Sequence, residues 1–114
     1  MRDDRERLLH ILEAIERIER YAARGREAFE QDELIQNWMV LHIQIIGEAT
    51  RALSREFRES HPELPWTEMV GMRHVLVHDY FGIDLDIVWR VVERDLPDLK
   101  RKIEGILQEY GKQL

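Results

Sequence analysis

Apolar residues return at helical spacing along most of this chain. Leu8, Ile11, Ile15, Ile18 and Ala22 are spaced 3, 4, 3 and 4, which predicts one amphipathic helix over 3–23. Glu13 with Arg17 and Glu16 with Arg20 support it as i,i+4 pairs, and Gly25 ends it. Asp32 is an N-cap candidate for a longer helix running to about Ser54. Its line Leu34, Trp38, Leu41, Ile45 and Ala49 is joined by Ile35, Met39, Ile46 and Leu53. So wide an apolar face suggests a central helix that touches more than one neighbour. "SHPELPW", residues 60–66, reads as a loop with two prolines. A third helix is expected from Pro65–Thr67 to Tyr80–Gly82. The triplet Val75-Leu76-Val77 could be a strand, but there is no strict alternation and no second strand to pair with. Asp84 caps a fourth helix, with Asp86 in its first turn. Its stripe is Leu85, Val88, Val92, Leu96, Leu99, Ile103 and Ile106. Pro97 should kink or divide that helix. The pattern predicts an all-α, helical bundle of four to five helices.

Composition narrows the class. The 114 residues are 44% hydrophobic and 35% charged, enough for one packed domain, 1–114, and too apolar for intrinsic disorder. The absence of cysteine excludes disulfides and cysteine-ligated zinc. Apolar runs are too short to span a bilayer. "MRDDRERLLH" is too charged for a secretory signal, so the expected compartment is the cytoplasm. With a net charge of −6, any nucleic-acid contact must come from a local basic patch.

The chemistry concentrates in "GMRHVLVHDYFG", residues 71–82. It gathers Arg73, His74, His78 and Tyr80 around a short apolar run. A histidine titrates near neutral pH and can take or give a proton. A guanidinium offers a planar fork to phosphate oxygens and can stabilise charge developing on phosphorus. Together they suit cleavage of a phosphodiester without a metal, by activating a ribose 2′-OH. On one ideal helix, though, Arg73 and His78 stand about 140° apart. Either the helix is distorted or two copies of the chain complete the site. An Arg and two His on an amphipathic helix are also more often surface residues than catalysts. A metal reading of His74 and His78 has the i,i+4 spacing of a zinc helix, but Val75 replaces the Glu of H-E-x-x-H and no third ligand is evident.

"RHVLVHDY" fits an R-x4-H-x-Y pattern. With the flanking "GMRHVLVHDYFGIDLDIVW", the upstream "IIGEA" and the Pro-Trp before the motif, it resembles the HepT-like toxins of the HEPN superfamily over nearly the whole chain. The resemblance implies an up-and-down HEPN bundle that dimerises and cleaves RNA at a composite cleft. It implies Arg73 and His78 as catalytic residues, with His74 in a slot that often holds Asn. It implies a toxin of a type VII-like toxin–antitoxin system whose partner is a nucleotidyltransferase antitoxin of the MNT type. That partner would silence the toxin by attaching AMP to Tyr80, and homodimers and larger heteromers with it are the expected assemblies. No cofactor, resident metal or membrane is implied. The competing class is a non-catalytic HEPN bundle that only docks such a partner.

Three further features bear on the site. Glu48, near the apolar line of the central helix, reads as a buried polar group needing a partner, with Arg73 or His78 as candidates. Arg51, Arg55 and Arg58 follow at i, i+4, i+7, a basic stripe that is either a solvated face or a guide for an RNA backbone. Gly47 inside the helix reads as close helix packing, with close approach of a dimer partner or substrate as the alternative. His10, His42 and His61 read as structural, and Trp38, Trp66 and Trp89 as core or interface residues.

Overall fold

In the computed structural model the described residues are 2–77 and 84–112, with side chains described for all of these but 2, 72–77 and 112. Every element among them is helical: α1 Arg2–Ala22, α2 Arg26–Gln31, α3 Glu33–Arg51, α4 Arg55–Ser60, α5 Trp66–Val77, α6 Leu85–Arg90, a π turn Val91–Asp95, and α7 Leu96–Lys112. The architecture is the all-α bundle that the pattern predicts, consistent with the HEPN type that the resemblance implies. Its long members are α1, α3, α5 and the rod from α6 through α7. The six-residue helices α2 and α4, absent from the periodic reading, serve as connectors.

The starts and stops follow local chemistry. Gly25 takes φ 91°, a left-handed value natural to glycine, and turns the chain out of α1. Asp32 caps α3 by accepting from the amides of Leu34 at 2.9 Å and Ile35 at 3.4 Å. Gln36 then donates to the carbonyls of Phe29 and Glu30 at 3.0 and 3.2 Å, satisfying the last turn of α2. Ser54 caps α4 by accepting from the Phe57 amide at 3.1 Å, and Asp84 caps α6 by accepting from the Ile87 amide at 3.2 Å.

Helices α1 and α3 are antiparallel. The Trp38 indole donates to the Arg17 carbonyl at 3.0 Å. Fifty residues apart in sequence, Asp4 accepts from the Ser54 amide at 2.8 Å and from its hydroxyl at 2.7 Å. Lys100 meets Glu19 at 2.8 Å and ties α7 to α1. The core between these helices contains Leu8, Ile11, Ile15, Ile18, Met39, Ile43, Ile46, Leu96 and Ile103, each no more than 1% exposed. Gly47 is buried on α3, as its reading as a packing residue requires.

The interruption expected at Pro97 lies just before it. Proline has no N–H to offer the residue four back, and its ring crowds that carbonyl. The helix answers with one wide turn: the Leu96 amide bonds to the Val91 carbonyl, five residues back. Such π turns absorb one residue without ending the helix.

Candidate functional site

Helix α5 carries the first half of the motif. It opens after Pro65, and its first residue, Trp66, is fixed at the far end of the bundle from α2. The Trp66 indole donates to the carbonyls of Arg58 at 2.9 Å and His61 at 2.8 Å. Its ring lies edge-on to Phe57 at 5.9 Å, and Met69 one turn on is fully buried. Since α5 begins where α3 ends, it returns along α3 toward the α2 end. Arg73 and His74 fall on the backbone of its later turns. His78, Tyr80 and Gly82 lie outside the described residues, as does the side chain of Arg73. The pairing of His74 with His78, and with it the metal reading, lies there too.

The chain is described again at Asp84, and its surroundings are well defined. Asp86, in the first turn of α6, forms an ion pair with Arg26 of α2. Arg26 also meets Glu30 at 2.8 Å, and hydrogen bonding to Glu30, reinforced by Asp86, raises the Arg26 pKa above its ordinary value. Beneath this exposed pair, the fully buried Phe29 stacks at a tilt on Trp89, centroids 5.4 Å apart. The Trp89 indole donates to Glu93 at 2.7 Å. The motif segment is thus joined to α5 on one side and to a small α2–α6 clamp on the other. Sequence reasoning missed that clamp. Its only signal was Phe29, one apolar residue in an otherwise polar stretch.

Two readings of the supporting residues are corrected. Glu48 is exposed on α3, not buried. The line it was grouped with is itself turned outward: Leu34, Leu41 and Ile45 are 79%, 50% and 37% exposed. The face of α3 that is buried holds Ile35, Met39, Ile43, Ile46 and Ala49. Arg51, Arg55 and Arg58 do not form one helical stripe, because α3 ends at Arg51 and α4 starts at Arg55. Arg55 is 86% exposed and meets Glu59 at 2.8 Å. Arg58 is half-buried, and among the described residues its Nε has no hydrogen-bond partner.

The remaining histidines behave structurally. His42 is buried, its ring 4.2 Å from Trp38, with Nδ1 2.7 Å from the Trp38 carbonyl. Because a carbonyl can only accept, Nδ1 carries the proton. His61 meets Glu63 at 3.1 Å. His10 is exposed and lines a groove of about 180 Å³ with Glu13, Arg17, His42 and Ile45. No helix among the described residues is long and apolar enough to cross a membrane.

An all-α bundle with an R-x4-H-x-Y sequence that begins within α5 defines a class, and comparison with known proteins narrows it. Residues 11–106 match the family described as "Ribonuclease HepT-like", and the chain belongs to that family. It is 42% identical over 106 residues to a Methanocaldococcus jannaschii protein named "Gamma-glutamylcyclotransferase and putative RNase". That match takes in 92% of this chain but only 48% of the relative, so the chain spans about half of that protein's length. It is 40% identical over 92% of its length to a "Probable ribonuclease HepT" of Thermococcus cleftensis, covering 96% of that protein. It is 45% identical over 42 residues, 37% of this chain and 32% of the relative, to an "mRNA nuclease HepT" of Shewanella oneidensis. No solved structure matches the chain.

Proposed function

We propose that this protein is a metal-independent endoribonuclease, the toxin of a toxin–antitoxin pair, working in the cytoplasm as a single-domain homodimer. The observation that carries the reading is the R-x4-H-x-Y motif, Arg73, His78 and Tyr80, in a chain of the HepT-like ribonuclease family. His78 acts as general base and takes the proton of a ribose 2′-OH. The 2′ oxygen attacks its own phosphorus, and the P–O5′ bond breaks. The 5′ oxygen leaves with a proton, and a 2′,3′-cyclic phosphate remains. Arg73 offsets the charge that grows on the phosphoryl oxygens. Since Arg73 and His78 stand about 140° apart on one ideal helix, a cleft completed by a second copy accounts for their cooperation. His74 supports the motif, and the exposed Glu48 faces the same side as the outer α3 surface. Arg51 and Arg55, both exposed, steer the RNA backbone, with the half-buried Arg58 contributing less.

Control falls to Tyr80. A neighbouring nucleotidyltransferase of the MNT type joins the tyrosine oxygen to the α-phosphorus of ATP, and pyrophosphate leaves. The added phosphate competes with RNA for Arg73 and repels its backbone. A second reading, a bundle that only docks this partner, differs in having no cleavage to lose.

The test is cleavage of RNA in EDTA by wild type, His78→Ala and Arg73→Ala, with circular dichroism as the check on folding. Loss of a general base is worth about 10²–10⁴-fold, and loss of an electrostatic donor about 10²–10³-fold. Wild-type rates in either variant would remove that residue from the mechanism. Activity that needs Mg²⁺ would reject metal independence. A folded wild type that cleaves no RNA yet binds the nucleotidyltransferase would favour the docking module.

A further inference from the structure

The groove between α1 and α3 holds a buried acceptor that the fold leaves unused. His10, Glu13, Ala14 and Arg17 line it from one face of α1, and His42 and Ile45 line it from α3. His42 is only 2% exposed, and its ring is fixed against Trp38 at 4.2 Å. Its Nδ1–H donates to the Trp38 carbonyl, so in the neutral ring Nε2 is an acceptor. Among the described residues Nε2 has no hydrogen-bond partner. Buried polar atoms are normally matched, and His42 borders the groove, so Nε2 is the ring nitrogen left to meet a ligand. On the rim, Glu13 and Arg17 are 58% and 48% exposed and joined at 2.7 Å. That pair sets a guanidinium donor beside a carboxylate with acceptor sites to spare. Among the described residues no three His, Asp or Glu side chains are grouped so as to hold a metal ion, so the groove is not a metal centre.

We propose that this groove takes an unpaired guanine base. Its volume is about 180 Å³, below the roughly 300–1,000 Å³ of a drug-sized site, and suits one flat ring system. Ala14 and Ile45 offer apolar surface to the ring faces, and the polar side chains meet its edge. The Watson–Crick edge of guanine reads acceptor, donor, donor: O6, N1–H and the 2-amino group. Arg17 donates to O6, as arginine commonly does to guanine. The Glu13 carboxylate accepts from N1–H and from one amino hydrogen, and His42 Nε2 accepts the other. The remaining bases fail at the carboxylate. Adenine and cytosine set a ring-nitrogen lone pair beside their one amino group, and uracil flanks its single N–H with two carbonyls. Unpaired RNA bases are read on this edge, and a free guanine nucleotide presents the same edge. No cleavage step enters the proposal, so it does not depend on the ribonuclease reading.

The test is binding to the full chain, followed by calorimetry and by the nitrogen NMR signal of His42 Nε2. GMP should bind and shift that signal. IMP, which lacks the 2-amino group, should bind about 10-fold more weakly, and AMP about 5–150-fold more weakly. Glu13→Gln lies on the exposed rim and should keep the helical spectrum. It should weaken GMP by about 10-fold or more, because its amide sets an N–H against the guanine donors. His42→Phe should weaken GMP and leave IMP unchanged, a difference that a merely structural role would not produce. If that variant does not fold, the Nε2 signal and Glu13→Gln decide. A single-stranded RNA with one unpaired guanine, set against the same strand with inosine there, separates the two sources. Discrimination within the strand but not among free nucleotides assigns the groove to RNA, and the reverse assigns it to a free nucleotide. Equal binding of GMP, IMP and AMP overturns the guanine assignment. GMP binding indifferent to Glu13→Gln overturns the groove as its place. No binding of GMP at millimolar concentration, with no preference for guanine over inosine in the strand, overturns the proposal as a whole.

Discussion

The two ends of the bundle are held by different means. At the end where α3 passes to α4, a buried carboxylate organises the chain. Asp4, 3% exposed, takes two hydrogen bonds from Ser54, whose hydroxyl in turn accepts from Phe57. Around it Phe57 contacts Trp66, Tyr110 and His61. At the end that flanks the motif, one buried ring, Phe29, sits under an exposed ion pair, Arg26–Asp86. The first end has a redundant network, and the second relies on a single knob. Among the described residues, the buried carboxylate network lies at the end away from α2 and α6.

The largest effect should come from the knob. Phe29→Ala should cost about 3–5 kcal/mol, the usual range for emptying a buried aromatic site. Hydrogen exchange should speed up in α6 before it does in α4. Equal acceleration at both ends would erase the distinction. Asp4→Ala should come next, at about 2 kcal/mol, because a buried charge-assisted pair is lost. Its signature is early exchange in α4 with α6 still protected, and a loss at α6 instead would reverse the assignment.

A smaller, alkaline effect belongs to the same end. Burial, with Asp4 nearby, raises the Tyr110 pKa above its ordinary value of 10.0. The folded state then holds its proton longer than the unfolded chain does. Stability from this source is complete below about pH 10 and is lost as pH rises through the raised value. Tyr110→Phe should flatten that alkaline decline in chemical-denaturation midpoints, and an unchanged slope would assign it to other groups. Smallest of all is Arg26→Gln. The pair it breaks is exposed, and such pairs contribute little, so the melting temperature should stay almost unchanged. A drop as large as that of Asp4→Ala would mean the motif end is tied down more firmly than its single knob suggests.

The parts of this fold legible in the sequence are those decided locally. Asp32 and Asp84 announce their helices because a cap needs only its own carboxylate and the amides two or three residues on. The stripe of α1 is legible because one face of it is buried throughout. Helices α2 and α4 were not, since six residues give too few turns for a period to appear. Each exists because one phenylalanine, Phe29 or Phe57, finds a distant pocket. The wide apolar face of α3 predicts more than one neighbour but not which of its residues face the core, so Glu48 reads as buried by association. A hydrophobic pattern records which residues are apolar, not which of them the protomer's own helices cover. The candidate site was legible through its residue types and the family they resemble. Its helical geometry alone pointed two ways.

The π turn before Pro97 has a consequence for how this chain tolerates changes in length. A helix is usually a poor place to gain or lose a residue, because every side chain beyond the change swings by about 100°. Here the wide turn takes up the odd residue, and the buried series Val88, Val92, Leu96, Leu99 and Ile103 stays on the core side across it. Residues 91–95 are therefore a splice point, where the count can differ by one while both flanks stay aimed at the core. A chain that lacked one residue there, and also lacked a proline at position 97, could run as plain α-helix through the same space. When such chains are aligned, the gap belongs inside this helix and not in a loop.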